Sequence, residues 1–160
     1  MECRILRDGI NTFYTEGPGS HELETPKGKG ELRTPYAIYR GVFDGWIPNG
    51  QFSVVYKGGD TYVGEIKDGL RNGKGKMVKK TETYDGEWSN NLKHGHGVCV
   101  DYANNTTSSG EWKNDNLFSG KTTYRAADGT TYTASTVDGV REELKDEANN
   151  PIKEKETKGQ

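Results

Sequence analysis

Apolar and aromatic residues alternate with polar ones over short stretches, and glycines recur in phase with them along most of the chain. The stretch YVGEIKDGLRNGKG, which begins at Tyr62, shows this most clearly. A period of two residues predicts β-strands, and Asp, Gly and Asn between two such stretches predict a hairpin loop. We therefore expect strands over residues 61–67 and 75–80. Turn-like clusters at 57–60, 104–105 and 127–129 separate successive hairpins, which predicts an antiparallel meander.

Glycine spacing shows that the chain is built from internal repeats. The leading glycines of four units are separated by 23, 22 and 24 residues, and a second glycine follows nine residues later in three units and ten later in the fourth. Weaker copies flank them, with Gly19 and residues 28–30 upstream and a partial unit from Thr131 downstream. Terminal units of repeat arrays are often atypical because they cap the array. The four pairs are Gly41 and Gly50, Gly64 and Gly73, Gly86 and Gly95, and Gly110 and Gly120.

Alternation assigns the residues of each unit to two faces. Tyr62, Gly64 and Ile66 share one side of the second unit, and Tyr84, Gly86 and Trp88 share the equivalent side of the third unit. A ring can lie over a neighbouring glycine because the missing side chain leaves bare backbone. We expect this aromatic and glycine face to replace a conventional core. The opposite, solvated face carries Glu65, Glu87 and Glu111 with Lys74, Lys76 and Lys121.

The pattern Y-x-G-x-W, a short polar stretch and then x-G-x-G resembles the MORN (membrane occupation and recognition nexus) repeat. The resemblance covers residues 19–139 and is strongest from Tyr62 to Gly97. It implies an all-β fold, an elongated, twisted single antiparallel sheet of consecutive MORN-like hairpins. Several positions depart from the pattern: Phe52 and Thr122 replace the second glycine, Ser108 replaces the tyrosine, and Ile66 and Phe43 replace the tryptophan.

The two ends differ from the array. Residues 1–18 alternate around Asp8-Gly9, a signal for a two-residue hairpin, and predict an N-terminal hairpin that caps or extends the sheet. Residues 19–139 form the repeat array. Residues 140–160 are highly charged, and we expect a short helix over 140–148 that Pro151 terminates, followed by a disordered tail.

Composition narrows the class of protein. The 160 residues have a formal net charge of only -2, 22 glycines and 10% aromatic residues. No apolar run is long enough for a signal peptide or a membrane span. Cys3 and Cys99 are too few and too far apart to suggest a disulfide framework, which fits a reducing compartment. We expect a soluble, cytoplasmic protein, with a position at a membrane or cytoskeletal structure as the alternative.

The residues offer little for catalysis or metal binding. His94 and His96 precede Cys99 closely, but in extended chain the two imidazoles share a side while the thiol points away, and a structural zinc site needs four ligands. The glycines and lysine of residues 69–74 lack the spacing of a phosphate-binding loop. No nucleophile motif is present. We expect a non-catalytic protein without metal or cofactor.

Function is therefore expected to lie in binding, and two readings of the aromatic rings compete. The MORN resemblance implies a scaffold or adaptor that binds another protein, or a second copy of itself, through the aromatic and glycine face or the sheet edges. Equally, the rings hold neighbouring hairpins together. The predicted partner-binding residues are Phe43, Tyr62, Ile66, Tyr84, Trp88, Trp112 and Tyr132.

Other binding classes are weaker alternatives. Residues 61–83 have a local excess of basic side chains, which would attach the protein only weakly to anionic phospholipids. A protein that inhibits a host target by occluding it would show the same sequence pattern. Nucleic acid is not expected because no continuous basic stripe is present. The residues predicted for the lipid alternative are Arg71, Lys74, Lys76, Lys79 and Lys80.

Overall fold

The chain folds into one open antiparallel sheet in which every strand pairs with its neighbours in sequence. The computed structural model describes residues 3–16 and 25–152, and within them it contains no helix, so none that is long and apolar enough to cross a membrane. The predicted all-β meander is confirmed. The thirteen strands of the described residues are β1 (Cys3–Arg7), β2 (Thr12–Glu16), β3 (Lys27–Arg33), β4 (Ala37–Asp44), β5 (Gly50–Tyr56), β6 (Thr61–Lys67), β7 (Leu70–Val78), β8 (Glu82–Ser89), β9 (Leu92–Asp101), β10 (Thr106–Lys113), β11 (Asn116–Arg125), β12 (Thr131–Val137) and β13 (Val140–Arg141).

The loop inside the second, third and fourth repeats is shorter than the polar stretch suggested. In the second unit only Asp68 and Gly69 connect β6 to β7, with φ of 51° and 80°. Positive φ at both central residues is the geometry of a tight hairpin turn, which Asp-Gly favours. The remaining polar residues, around Asn72 and Gly73, form a bulge within β7, where the register shifts. The second strand therefore begins at Leu70 rather than at residue 75.

A row of glycines crosses the middle of the sheet. Each strand from β6 to β11 contributes one glycine that pairs directly with a glycine of the next strand. Rings from the adjacent row lie over this bare backbone, and a Cβ placed on Gly75 would overlap the Tyr62 ring. The predicted juxtaposition of rings and glycines is thus confirmed. The paired row consists of Gly64, Gly75, Gly86, Gly97, Gly110 and Gly120.

The core lies on one face of this single sheet. Tyr62 is 0% exposed and Tyr84 is 1% exposed, although no second layer of described residues covers them. A flat single sheet would leave such rings half in solvent, so the sheet must curl around its aromatic face. Bulges in β7, β9 and β11 supply that bend by inserting extra residues into one strand of each pair.

The predicted N-terminal hairpin is present and extends the sheet. Strand β1 pairs with β2, and β2 pairs with β3. Its loop is four residues long, 8–11, rather than the two that Asp8-Gly9 suggested. The Asp8 carboxylate explains this, because it accepts hydrogen bonds from the backbone N–H groups of Ile10 and Asn11 and closes a wider turn. Gly19, at the predicted start of the repeat array, lies outside the described residues.

The predicted C-terminal helix is wrong. After β13 the chain stays extended along β12, where Thr133 and Lys145 exchange backbone hydrogen bonds. It then turns at Asp146, whose carboxylate accepts from the N–H groups of Ala148 and Asn150. Lys145 is bridged to Pro151 on the return. Strand β12 would otherwise present an open edge, and pairing with that edge satisfies its backbone better than a short solvent-exposed helix would. The disordered tail is predicted beyond Pro151: the Ile152 N–H donates to the Leu144 carbonyl, and residues 153–160 lie outside the described residues.

Candidate interaction surface

The rings of the aromatic face are fixed by hydrogen bonds as well as by packing. The Tyr62 hydroxyl donates to the Glu65 carbonyl at 2.8 Å, and the Tyr84 hydroxyl donates to the Glu87 carbonyl at 3.0 Å. Tryptophan indoles lie edge-on against these tyrosines, with centroids 4.9 to 5.8 Å apart. Every polar atom of the central rings is therefore satisfied inside the sheet. Trp88 Nε1 donates to the Gly75 carbonyl and Trp112 Nε1 to the Gly97 carbonyl.

The structure places most of the predicted partner-binding residues in the core. Six of the seven are at most 6% exposed, which leaves them almost no surface for another molecule. Tyr132 is half-buried and stacks on Tyr124. These residues therefore hold hairpins together, and a direct contact with a partner stays a prediction for them. The six are Phe43, Tyr62, Ile66, Tyr84, Trp88 and Trp112.

Two cations pack against these rings. The Arg71 guanidinium is 4.8 Å from the centroid of Trp88 and donates a hydrogen bond to the Tyr56 hydroxyl at 3.0 Å. In the next unit Lys93 Nζ lies 5.5 Å from the centroid of Trp112 and 5.6 Å from that of Tyr84. We call Arg71 and Lys93, with the rings beneath them, the cation row.

The sequence prediction missed this row, although the signal was present. It assigned Arg71 to the basic lipid patch by counting charges and did not consider Lys93. Alternation counted back from Gly75 puts Arg71 on the aromatic face, and its pairing with Ile66 confirms that placement. Lys93 pairs in the same way with Trp88. Half-buried Tyr39, Tyr56 and Leu117 pack against the core on this same face.

Lys93 belongs to a small polar cluster with Glu82 and Cys99. Its Nζ is 3.2 Å from a Glu82 carboxylate oxygen and 3.7 Å from the Cys99 sulfur, and that thiol donates to the other carboxylate oxygen at 3.7 Å. Burial raises the pKa of the Cys99 thiol, with the Glu82 charge acting in the same direction and Lys93 opposing it. The thiol therefore stays protonated and serves as a packing group.

The residues predicted for lipid binding do not form one patch. Lys74 and Lys76 are exposed on the face opposite the cation row, and the register sets them across from Glu87 and Asp85. Lys79 and Lys80 are exposed where β7 ends. Carboxylates next to two of the lysines cancel their attraction for an anionic surface.

Acidic side chains on the face opposite the cation row have structural contacts. The Glu65 carboxylate accepts from the Lys74 N–H, and the Glu87 carboxylate accepts from the His96 N–H, so each closes the bulge of its repeat. His96 Nε2 lies 3.8 Å from Glu111. Within the described residues, no group of three His, Cys, Asp or Glu side chains is placed to hold a metal ion.

Shifted pKa values follow from packing and turns. Burial raises the pKa of the Tyr62 and Tyr84 hydroxyls above the usual tyrosine value. Burial acts to raise the pKa of Glu31, but hydrogen bonds from Arg33 and Arg40 outweigh it and the pKa is lowered. The pKa of Asp101 is lowered by a hydrogen bond from the Asn104 side chain within a loop. Each of these groups has a structural role that explains its shift.

Comparison with known families agrees with this geometry. The MORN repeat model matches residues 62–81 and 84–106, which span β6 to the start of β10. No curated protein matches the chain. MORN repeats are typically involved in protein–protein or membrane interactions. The resemblance seen in the sequence is confirmed over these residues, and the two matched MORN repeats carry four glycines of the row, the indole hydrogen bond of Trp88 and both cations of the cation row.

Proposed function

We propose that this chain is a non-catalytic adaptor that binds a partner protein on the aromatic face of its sheet, at the cation row. The observation that carries the proposal is the position of half-buried Arg71 over a buried ring, on a face that no second layer of described residues covers. Lys93, which is 14% exposed and paired with Glu82, holds the equivalent place in the next unit. Arginine, tyrosine and tryptophan are the residues that contribute most to binding energy at protein interfaces. Cytoplasmic location remains part of this proposal.

A cation held over a ring is well prepared for binding. Because the ring and the Tyr56 hydroxyl already fix the Arg71 guanidinium, a partner that contacts it would order few additional side-chain rotations. The half-buried Tyr39, Tyr56 and Leu117 offer apolar surface on the same face. This combination of fixed charge and partly exposed apolar area suits a protein segment better than a lipid headgroup.

A non-catalytic role fits the titratable groups. The shifted carboxylates hold turns or arginine pairs, and the Cys99 thiol has a raised pKa in the core. An activated nucleophile requires the opposite shift and a neighbouring base. These groups therefore support a binding role rather than a catalytic one.

The test is purification of the tagged full-length protein from its native cells at moderate salt, with bound proteins and lipids identified by mass spectrometry. Arg71→Glu should lose a stoichiometric protein partner. Lys76→Glu, which changes charge by the same amount on the opposite face, should retain it. Circular dichroism must show that both variants keep the sheet. Recovery of acidic lipids alone, released by salt, would overturn the proposal in favour of membrane attachment.

A further inference from the structure

The repeat geometry leaves one ring position empty near the C-terminal end of the sheet. Trp88 and Trp112 occupy equivalent places in consecutive units, and each faces a glycine on the preceding strand. The equivalent place in the next unit is Thr136, which faces Gly120. A small side chain therefore stands where the two preceding units carry an indole.

A pocket of about 540 Å³, open to solvent, lies at this place. We call it the C-terminal pocket. Thr122 and Thr136 are buried in its wall, at 6% and 4% exposed, and Lys113 and Arg141 are exposed at its rim. Its principal lining residues are Leu117, Phe118, Thr122, Thr136, Lys113 and Arg141.

The wall reproduces what surrounds an indole in the other units. The Trp88 Nε1–H donates to the carbonyl of Gly75, which pairs with Gly86, two residues before Trp88. The Trp112 Nε1–H donates in the same way to the carbonyl of Gly97, which pairs with Gly110. Thr122 holds that position relative to Thr136, because it pairs with Ala134. Its carbonyl is therefore in place for a ring that the chain itself does not provide.

The charges at the rim favour an acidic ligand. Lys113 and Arg141 border the pocket, and its lining contains no carboxylate. Neither cation forms a salt bridge within the part of the chain that the structure describes. Lys113 Nζ lies 3.8 Å from the centroid of Phe118, so a cation and a ring already meet at the rim.

We propose that the C-terminal pocket binds an aromatic side chain from an acidic segment of the partner protein. The proposal rests on the proposed adaptor function and assigns the chemistry of that partner. The bound ring occupies the empty indole place, and the flanking carboxylates approach Arg141 and Lys113. The chain's own last residues, 153–160, contain no aromatic residue, so they do not supply the ring.

The probe is the capped pentapeptide Glu-Asp-Trp-Asp-Glu, titrated into ¹⁵N-labelled full-length protein and followed by amide chemical shifts. We expect saturable shifts at Gly120, Thr136 and Gly139, and binding at least about tenfold weaker when alanine replaces the peptide's tryptophan. Thr136→Trp should fill the pocket with the residue the repeat normally carries and abolish binding. Arg141→Glu should weaken binding about tenfold, whereas Lys121→Glu, exposed on the other face, should leave it unchanged.

Each outcome decides between the two proposals. Absence of saturable shifts, or equal binding by the alanine peptide, overturns the pocket proposal. Shifts confined to Arg71 and Lys93 also overturn it and leave the adaptor function standing. If Thr136→Trp fails to fold, Arg141→Glu still tests the site because its side chain is exposed. A native partner retained by Thr136→Trp overturns the pocket assignment alone, whereas recovery of lipids alone from cells overturns the adaptor function.

Discussion

At the scale of single residues, the core is made from pairs in which one member supplies a ring and the other supplies the space for it. The Tyr62 ring lies over Gly75, and the Tyr84 ring lies over Gly97. The fourth unit fills the space above its backbone without a tyrosine and a glycine. Ser108 replaces the tyrosine there, and Thr122 replaces the glycine and hydrogen-bonds to the serine at 2.9 Å. The two departures from the repeat pattern therefore compensate each other.

This pairing was only partly predictable from the sequence. The alternation of rings and glycines predicted which residues share a face, since side-chain direction in a strand depends only on parity. Linking Ser108 to Thr122 required the register between β10 and β11, where a bulge shifts the pairing. A bulge inserts residues without a clear sequence signal, so cross-strand partners beyond it could not be counted.

Gly75→Ala tests the space that the Tyr62 ring requires. A methyl group there would overlap the ring and its hydroxyl, so the ring would have to move and break its hydrogen bond to Glu65. We expect a loss of roughly 1–3 kcal/mol in the free energy of unfolding, measured by urea denaturation. Lys76→Ala, an exposed change next in the strand, should alter it by less than about 0.5 kcal/mol. Equal effects of the two variants would contradict the pairing.

At the scale of elements, each hairpin is tied to the one before it through its turn. The Asn91 N–H donates to the Arg71 carbonyl, and its side-chain oxygen accepts from the Arg71 N–H. Asp115 makes the same two contacts with Lys93 in the following unit. Asn and Asp at these places therefore have a second role beyond tolerating positive φ in the turn. The sequence predicted the turns, but not these contacts between units.

In the C-terminal segment, pairing with the edge of the sheet overrides the local helix propensity. Its composition permits a helix, but a helix of nine residues is marginal in water without a packed face. An unpaired β12 edge offers backbone partners at once, and the segment uses them at Ser135 and Thr133. This extended pairing could be predicted only by knowing that β12 is the last strand of the repeat array, because the segment's own sequence does not show that an unpaired edge lies beside it.

Lys145→Pro tests the edge pairing. Proline removes the N–H that donates to the Thr133 carbonyl, so we expect faster hydrogen exchange at the Thr133 amide, which bonds to the Lys145 carbonyl. Glu143→Pro places proline nearby without removing either of these hydrogen bonds and should affect Thr133 less. A helical segment would give the opposite result, with Thr133 unprotected in the unmodified protein and unaffected by either change.

At the scale of the whole molecule, a single curled sheet obtains its core from one face. Tyr62 and Tyr84 are the largest fully buried side chains of the described residues, and both hydroxyls donate to carbonyls of the same sheet. A protein with two layers could replace one such ring by repacking against the other layer. Here the ring contacts only neighbouring residues of the same sheet, so ionisation of its hydroxyl affects several hairpins together.

Alkaline pH should therefore weaken the fold. Burial raises the pKa of Tyr62 and Tyr84 in the folded state, whereas in the unfolded chain each titrates near 10. The folded state then binds more protons than the unfolded state above about pH 10, so the stabilisation from the neutral rings is complete below that pH and is lost as pH rises further. Each group contributes at most about 1.4 kcal/mol per pH unit to this decline. The Cys99 thiol, with its pKa also raised, adds a decline that begins about one unit lower.

Urea unfolding at about pH 8 and about pH 10.5 measures this decline as the difference in free energy of unfolding. Tyr62→Phe and Tyr84→Phe lose a hydrogen bond at both pH values but should show a smaller difference between them, because phenylalanine has no proton to lose. Tyr36→Phe, at a side chain 77% exposed, should keep the full difference. If the core variants and the exposed variant declined equally, the alkaline loss would have to come from elsewhere than the buried rings. If only the Tyr62 and Tyr84 variants reduced the difference in free energy of unfolding between the two pH values, the alkaline loss would be assigned to these buried rings, and the stability of the array to one face of the sheet.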